Sequence, residues 1–162
     1  MSCTHDPQRG FFRALFSRVL HAYFLLTRGL TLGVRAVVRS EDGKFLLVRH
    51  TYTPGWHFPG GGVEKGETTL RAVAKELRQE TRLKLTGTPI LHGVFHNNTV
   101  NQRDHVLVYL CNITGTLPDK SPSAEIAEIG YFDFHCHPEG IDPGTLRRMR
   151  EIAEGAESSE VW

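Results

Sequence analysis

The sequence predicts an α/β fold, in which apolar strands and helices alternate along a single domain of 162 residues. The first observation is a hairpin signal, because the turn-rich segment 40–44 separates two apolar runs. The second is a stretch from about Thr68 to Thr81 that predicts a helix. The third is the pair Asp142-Pro143, which is typical of a helix start with Asp as cap and Pro at the first helical position. A chain of this length is long enough to bury a sizeable core.

The first predicted element is a helix from Phe11 to Arg28, a stretch rich in Phe, Leu, Val and Ala that contains no Pro or Gly. Its mostly apolar part, Val19 to Leu26, is far shorter than the ~20 residues that span a bilayer. Arg18 and Arg28 bracket this part, so core packing or a dimer contact is expected rather than a membrane partner, with binding to a membrane surface as the lesser alternative. We expect residues 1–32 to form a helical extension that packs on the domain at residues 33–162 or contributes to a homodimer.

The remaining elements follow in order along residues 33–162. Strands are predicted at Gly33–Val38, Phe45–Arg49, Ile90–Phe95, His105–Asn112 and Tyr131–Phe134. The final helix is expected to extend from Asp142 to about Ala153.

Composition narrows the classes of partner and compartment. The net charge is +1, which gives no electrostatic argument for binding nucleic acid. The three cysteines, Cys3, Cys111 and Cys136, are irregularly spaced and odd in number, which favours a reducing cytosol. The first residues lack a basic region followed by an apolar core, so no signal peptide is predicted. We expect a cytoplasmic protein.

Two glutamates in the predicted helix, Glu76 and Glu80, are the most informative residues for function. Residues four apart lie on one helical face, with Cβ atoms roughly 5–6 Å apart. Two carboxylates this close repel each other unless a cation lies between them, and Mg²⁺ prefers oxygen ligands of this kind. A solvated, glutamate-rich helix face is the alternative interpretation of Glu76 and Glu80 alone.

The surrounding segment resembles the Nudix box, G-x5-E-x7-R-E-U-x-E-E-x-G-U, in which U is a bulky aliphatic residue. Six of the nine fixed positions match, namely Gly61, Glu67, Glu76, Leu77, Glu80 and Leu83. The preceding residues 56–64 also resemble the family's strand leading into a glycine-rich loop. The resemblance implies an α/β/α sandwich with a mixed sheet, and a MutT-like pyrophosphohydrolase.

Three positions depart from the family pattern. Lys75 replaces the arginine, which keeps the charge but loses the bidentate fork. Arg82 replaces the terminal glycine, where a left-handed conformation costs a non-glycine residue about 1–2 kcal/mol. Gln79 replaces a carboxylate of the metal cluster, and its amide oxygen brings no negative charge. These departures define an alternative function, a Nudix-like domain that binds a nucleotide or partner without turnover.

The resemblance implies that water attacks phosphorus in a nucleoside diphosphate linked to another group, with Mg²⁺ or Mn²⁺ as cofactor. Metal ligands are expected at Glu80, the Gly60 carbonyl, Gln79 and Glu76, and Glu76 is alternatively the base that orients water. Glu67 is expected to tether the loop to the helix through Lys75. A further acidic metal ligand from a later loop is expected at Glu125 rather than Glu128, with a solvent-facing acidic loop as the alternative.

Four residues outside the box are candidates for contact with a small nucleotide substrate. Tyr52 and Trp56 have aromatic faces that suit a base, with ordinary packing as the alternative. His57 is a candidate phosphate contact or a strand-packing residue, and Arg103 is a candidate phosphate clamp or a solvated side chain. No subtype motif outside the box selects between nucleoside triphosphates and nucleotide sugars.

Overall fold

A computed structural model describes residues 20, 23, 24, 27, 29–99, 102–119 and 123–162. The chain divides into two compact units, Met1–Leu30 and Thr31–Trp162. In the first unit Leu20, Tyr23, Phe24 and Thr27 are helical, and the Thr27 hydroxyl donates to the Tyr23 carbonyl oxygen at 2.8 Å. The rest of the helix predicted at Phe11–Arg28 lies outside the described residues. The packing of this extension and the homodimer stay predictions.

The second unit contains six strands and two helices among its described residues. The strands are β1 (Thr31–Val38), β2 (Phe45–His50), β3 (Trp56–His57), β4 (Lys84–His96), β5 (Asp104–Thr114) and β6 (Ile126–Phe132). The helices are α1 (Thr69–Thr81), between β3 and β4, and α2 (Pro143–Glu154), after β6. In the described part of the chain, no helix is both long and apolar enough to cross a membrane.

The strands form two three-stranded sheets. In the first sheet β5 lies between β1, to which it is parallel, and β4, to which it is antiparallel. In the second sheet β2 lies between β3 and β6 and is antiparallel to both. The first sheet is therefore mixed, as the family resemblance implied.

The side chains of β1 pack in two separate cores, because successive side chains of a strand point to opposite faces of the sheet. Val34, Ala36 and Val38 belong to a cluster that includes Ala72, Val73 and Leu77 of α1. Val37 belongs to a second cluster that includes Phe45, Phe58 and Met149 of α2. The two helices thus serve different cores, which confirms the predicted α/β fold with helices on both faces.

Capping residues mark both ends of α1 and the start of α2. The Thr68 hydroxyl accepts a hydrogen bond from the Arg71 backbone N–H at 3.3 Å, and α1 ends on Arg82. Arg82 adopts the left-handed conformation with φ of 63°, and its N–H donates to the Arg78 carbonyl oxygen at 3.0 Å. The Asp142 carboxylate caps α2 by accepting from the Thr145 N–H at 2.7 Å, with Pro143 in the first turn.

Two strands differ from the sequence prediction. β4 starts at Lys84 rather than Ile90, and its pairing with β5 shifts register between Thr86 and Ile90, around Pro89. β6 starts at Ile126, inside the segment predicted as a loop, because the buried Ile126 side chain and the pairing with β2 extend the strand.

The segment 159–162 closes the second core. The His96 N–H donates to the Glu160 carbonyl oxygen, and the Trp162 N–H donates to the His96 carbonyl oxygen, each at 3.0 Å. Beneath this segment Arg148 of α2 is fully buried, with its guanidinium 3.9 Å from the centroid of the Phe95 ring. The charge of Arg148 is compensated by Glu151, whose Oε2 accepts from Arg148 Nε at 2.7 Å.

Candidate functional site

The site is built around the glycine loop that follows β3. The Pro59 carbonyl oxygen accepts from the Ala36 N–H at 2.8 Å, and the Gly61 carbonyl oxygen accepts from the Val34 N–H at 2.9 Å. These two bonds hold the loop against the β1 backbone. Gly60 has φ of 153°, and a Cβ atom there would lie 2.0 Å from the Val34 carbonyl oxygen. Only glycine fits at this point of contact.

Glu80 fastens α1 to this loop. Its Oε2 accepts a hydrogen bond from the Gly60 backbone N–H at 2.8 Å. Its Oε1 lies 2.7 Å from His50 Nε2, at the end of β2. Glu80 and His50 are each 8% exposed. A carboxylate this buried requires such partners, since an unpaired one is strongly disfavoured. Glu80 therefore has a fixed orientation.

Glu76, one turn earlier on α1, packs against the next residue of the loop. A Cβ atom at Gly61 would lie 2.8 Å from the Glu76 carboxylate, so that the loop backbone and this carboxylate are in close contact. Burial raises the pKa of Glu76, the nearby Glu80 charge raises it further, and the hydrogen bond from Lys75 opposes both effects. Glu76 is consequently a better proton acceptor than an ordinary glutamate.

Lys75 ties the residues after the loop to α1. Its Nζ lies 3.1 Å from Glu67 Oε2, 3.2 Å from Glu64 Oε1 and 3.3 Å from Glu76 Oε1. Burial alone would lower the pKa of Lys75, but the three carboxylates raise it well above its usual value. The contact between Lys75 and Glu67 expected from the sequence is present, and it is one of three.

A cleft of about 470 Å³ gathers the acidic residues. It is lined by Glu76, Gln79, Glu80, Arg82, Ser123 and Glu125. Of the two later acidic residues weighed from the sequence, Glu125 lies in this cleft. Glu128 lies elsewhere, because its Oε1 accepts from Arg49 Nη2 at 2.5 Å.

The donor atoms of the acidic cleft suit a hard divalent cation, since they are carboxylate and amide oxygens. In the described residues, however, no group of three His, Cys, Asp or Glu side chains already converges as a metal cage. The residues fit Mg²⁺ or Mn²⁺ in donor type, and a bound ion would have to draw them together.

A second cleft, of about 300 Å³, borders the glycine loop at residues 60–62. Its polar walls are formed by Thr31, Arg35, His50, Tyr52, Thr53, His57, Asn97 and Asp104. The Gly60 carbonyl oxygen, expected from the sequence to ligate metal, accepts a hydrogen bond from Arg35 Nη1 at 2.5 Å. The Arg35 guanidinium therefore places a positive charge at the oxygen where the sequence predicts a metal ion.

The four substrate-contact candidates separate into two pairs. Tyr52 and His57 line the second cleft, and the His57 ring is held by Nε2 donating to the Pro54 carbonyl oxygen at 2.9 Å. Burial lowers the pKa of His57, and the Arg35 charge adds to this effect. Trp56 and Arg103 do not line this cleft.

Trp56 packs in the second core, which is the alternative that the sequence left open for its ring. Its neighbour His57 faces the cleft, and consecutive strand residues point to opposite faces. Trp56 is therefore buried against Phe132, with ring centroids 4.6 Å apart, and lies outside the second cleft. Arg103 is exposed, and its carbonyl oxygen accepts from the Thr31 N–H at 3.0 Å.

Three residues of the site, Arg35, His50 and Asp104, were not found from the sequence. Arg35 had a visible signal, because it is a charged residue inside the apolar strand Val34-Arg35-Ala36. Asp104 accepts a hydrogen bond from Thr31 at 2.7 Å, which the pairing of β1 with β5 brings about, and one from Asn97 at 2.9 Å across the connection between β4 and β5.

The fold and the site together define the class of domain. It is an α/β domain in which a glycine loop packs against a helix that carries two glutamates. The family model for the NUDIX domain matches residues 29–151, which is most of the chain. The chain belongs to this family, which confirms the assignment made from the sequence.

Curated relatives match over part of their length. An RNA pyrophosphohydrolase from Halorhodospira halophila is 42% identical over 55 residues, covering 34% of this chain and 30% of that protein. A MutT-like protein from Streptomyces ambofaciens is 34% identical over 85 residues, covering 52% of this chain and 53% of that protein. The chain thus spans about half or less of the length of these relatives.

Solved structures share the fold over most of the chain. The MutT NUDIX hydrolase from Burkholderia pseudomallei superposes with a TM-score of 0.65 at 22% identity, covering 75% of this chain and 97% of that one. An ADP-ribose pyrophosphatase from Streptococcus suis superposes with a TM-score of 0.60 at 22% identity, covering 81% of this chain and 96% of that one. At these identities the likeness is one of fold.

Proposed function

We propose that this protein is a divalent-metal-dependent hydrolase of a pyrophosphate bond in a small nucleotide. The substrate class is a nucleoside diphosphate linked to another group, either a nucleoside triphosphate or a nucleotide sugar. The observation that carries the proposal is the packing of Glu76 and Glu80 against Gly61 and Gly60, which presents both carboxylates in one acidic cleft with Glu125.

The residues that would hold Mg²⁺ or Mn²⁺ are Glu80 and Glu125, with the Gln79 amide oxygen as a neutral donor. Such an ion neutralises phosphate charge and lowers the pKa of the attacking water. Each oxygen of Glu80 has a second lone pair beyond the bond to Gly60 or His50, so Glu80 keeps acceptor capacity. These two bonds also fix its orientation before substrate arrives.

Glu76 is the proposed general base. Water attacks phosphorus, the bridging P–O bond breaks, the leaving phosphate takes the bonding electron pair, and the Glu76 carboxylate receives the proton. The raised pKa of Glu76 supports this role, because a general base works best with a pKa near the working pH. Action in the cytoplasm is part of the proposal, and it is supported by the free thiols of Cys111 and Cys136.

A second candidate function is nucleotide or partner binding without turnover. Two residues at the end of α1 favour this binding function. Gln79 lacks the charge of the family's carboxylate, and Arg82 adds a positive side chain to the lining of the acidic cleft. Both changes weaken the attraction of that cleft for divalent ions.

The test is release of phosphate or pyrophosphate from a panel of nucleoside triphosphates and nucleotide sugars, with Mg²⁺ or Mn²⁺. Wild type is compared with Glu80→Gln, Gln79→Glu and the control Glu128→Gln, which alters an acidic residue outside the acidic cleft. Turnover that Glu80→Gln abolishes and Glu128→Gln retains would support the hydrolase. Activity seen only in Gln79→Glu would establish the binding function instead.

A further inference from the structure

Arg35 is a charged side chain in the middle of a strand whose neighbours are core residues. Val34 and Ala36 are fully buried in the cluster around α1, and Arg35 points to the opposite face of β1. There its Nη1 donates to the Gly60 carbonyl oxygen at 2.5 Å, and its side chain lines the second cleft. The strand therefore holds this guanidinium directly on the glycine loop.

The second cleft has little other fixed charge. Of the described residues that line it, Arg35 is the only lysine or arginine and Asp104 the only carboxylate. Both oxygens of Asp104 already accept hydrogen bonds, from Thr31 and Asn97. Arg35 is thus the one strong anion-attracting group among these residues, and His57 beside it supplies a neutral polar surface.

We propose that Arg35 is a substrate-binding residue that holds the pyrophosphate group of the nucleotide in this cleft, as a fixed cation on the Gly60 carbonyl. The proposal deepens the proposed function and rests on it for the identity of the substrate.

The chemistry of the guanidinium group supports this assignment. One N–H of Arg35 is used by Gly60, while a guanidinium carries five donors in a rigid fork that matches phosphate oxygens. The Gly60 carbonyl keeps the fork in place, so that little side-chain entropy is lost when phosphate binds. Gly60 and Gly61 also contact Glu80 and Glu76, so that a pyrophosphate on Arg35 lies beside the acidic cleft.

The test measures binding of inorganic pyrophosphate by isothermal titration calorimetry in EDTA, where neither metal nor turnover contributes. Wild type is compared with Arg35→Met, which keeps most of the apolar stem, and with Arg35→Lys, which keeps the charge and loses the fork. The control is Arg39→Met, since Arg39 lies over the Phe45 ring, away from this cleft. Melting temperatures show whether each variant folds.

We expect Arg35→Met to weaken pyrophosphate binding about tenfold to hundredfold, as for loss of a charged hydrogen bond, and Arg39→Met to leave it unchanged. Arg35→Lys should bind several-fold more weakly than wild type, and it alone decides the matter if Arg35→Met does not fold. Unchanged affinity in the Arg35 variants, or no pyrophosphate binding by wild type in EDTA, would overturn the proposal.

The result is separable from that of the hydrolase assay. Binding that depends on Arg35 in a protein with no turnover would support the role of Arg35 and reject the hydrolase. If wild type turns substrate over but Arg35→Met leaves pyrophosphate affinity unchanged, the result would support the hydrolase and reject the role of Arg35.

Discussion

Individual residues of the site are fixed by partners that come from different parts of the chain. Glu80 of α1 is held by the Gly60 N–H and by His50 of β2, and all three are buried. A buried carboxylate that loses a partner carries the full desolvation penalty of the freed atom. His50 is therefore as important to the orientation of Glu80 as the glycine loop itself.

The first prediction concerns this pair. His50→Ala should lower the free energy of unfolding by about 1–3 kcal/mol, because it leaves Glu80 Oε1 buried without a protein partner. Urea denaturation followed by circular dichroism measures the change. The variant Glu128→Ala breaks an ion pair that lies near the surface, with Arg49, and should cost less than about 1 kcal/mol. Equal losses in the two variants would show that the buried pair has no special role.

The second prediction concerns His57, whose pKa is lowered by burial. Below an ordinary histidine pKa of about 6.5 the unfolded chain binds a proton at this residue before the folded chain does. The contribution of His57 to the free energy of unfolding is therefore fully present above that pH. It is lost as the pH falls toward the lower pKa that His57 has in the folded state. Urea midpoints at pH 7.5 and 5.5 should therefore differ more for wild type than for His57→Gln. The exposed His137→Gln serves as control and should behave as wild type.

At the scale of elements, the start of each helix could be predicted from sequence and the lengths of the strands could not. Thr68 and Asp142 set the helix starts locally, through hydrogen bonds to residues three positions later. β4 and β6 extend beyond their apolar runs because long-range pairing with β5 and β2 recruits residues such as Lys84 and Ile126. Such pairing leaves no local signal.

The candidate site divides in the same way. Glu76 and Glu80 could be predicted because their spacing lies within one helix. The bonds from His50 to Glu80 and from Arg35 to Gly60 join residues 30 and 25 positions apart, so a local pattern does not reveal them. For Trp56 the sequence left both base stacking and ordinary packing open, because a two-residue strand gives no alternation from which to judge direction.

The third prediction concerns the end of α1. Arg82 holds a left-handed conformation that glycine adopts without strain. Arg82→Gly should therefore raise the free energy of unfolding by about 1 kcal/mol. Arg82→Ala removes the same side chain but keeps the Cβ atom, so it reports the loss of side-chain interactions alone. Thermal and urea unfolding of both variants measure the difference. A glycine variant no more stable than the alanine variant would mean that the backbone at Arg82 is unstrained.

At the scale of the molecule, the second core depends on residues from both ends of the described domain. The Trp162 ring rests on the Gly144 backbone, where an added Cβ atom would lie 2.2 Å from the indole nitrogen. The same ring lies edge-on to Phe95, with centroids 6.3 Å apart, and covers the buried Arg148. The Trp162 side chain therefore adds to the direct contacts between β4 and α2, which join Phe95 to Arg148 and His92 to Glu151.

The fourth prediction follows from this packing. Trp162→Ala should lower the free energy of unfolding by about 3–5 kcal/mol, because it opens a cavity and exposes the Arg148–Glu151 pair. The neighbouring Val161→Ala should have a small effect, since Val161 is 37% exposed. Urea unfolding curves for the two variants and wild type test this. A loss under 1 kcal/mol for Trp162→Ala would show that the second core is complete without the indole.

The position of Trp162 has a consequence for how the protein is made. The residues packed around α1 lie between Val34 and Tyr131, whereas the second core includes Met149 and Trp162. During synthesis, which adds about 5–20 residues per second, the first core has all its parts while the second still lacks its last aromatic ring. A nascent chain will therefore hold Phe95 and Arg148 without their cover until residue 162 has left the ribosome. A chaperone that binds exposed aromatic surface has its opportunity in that interval.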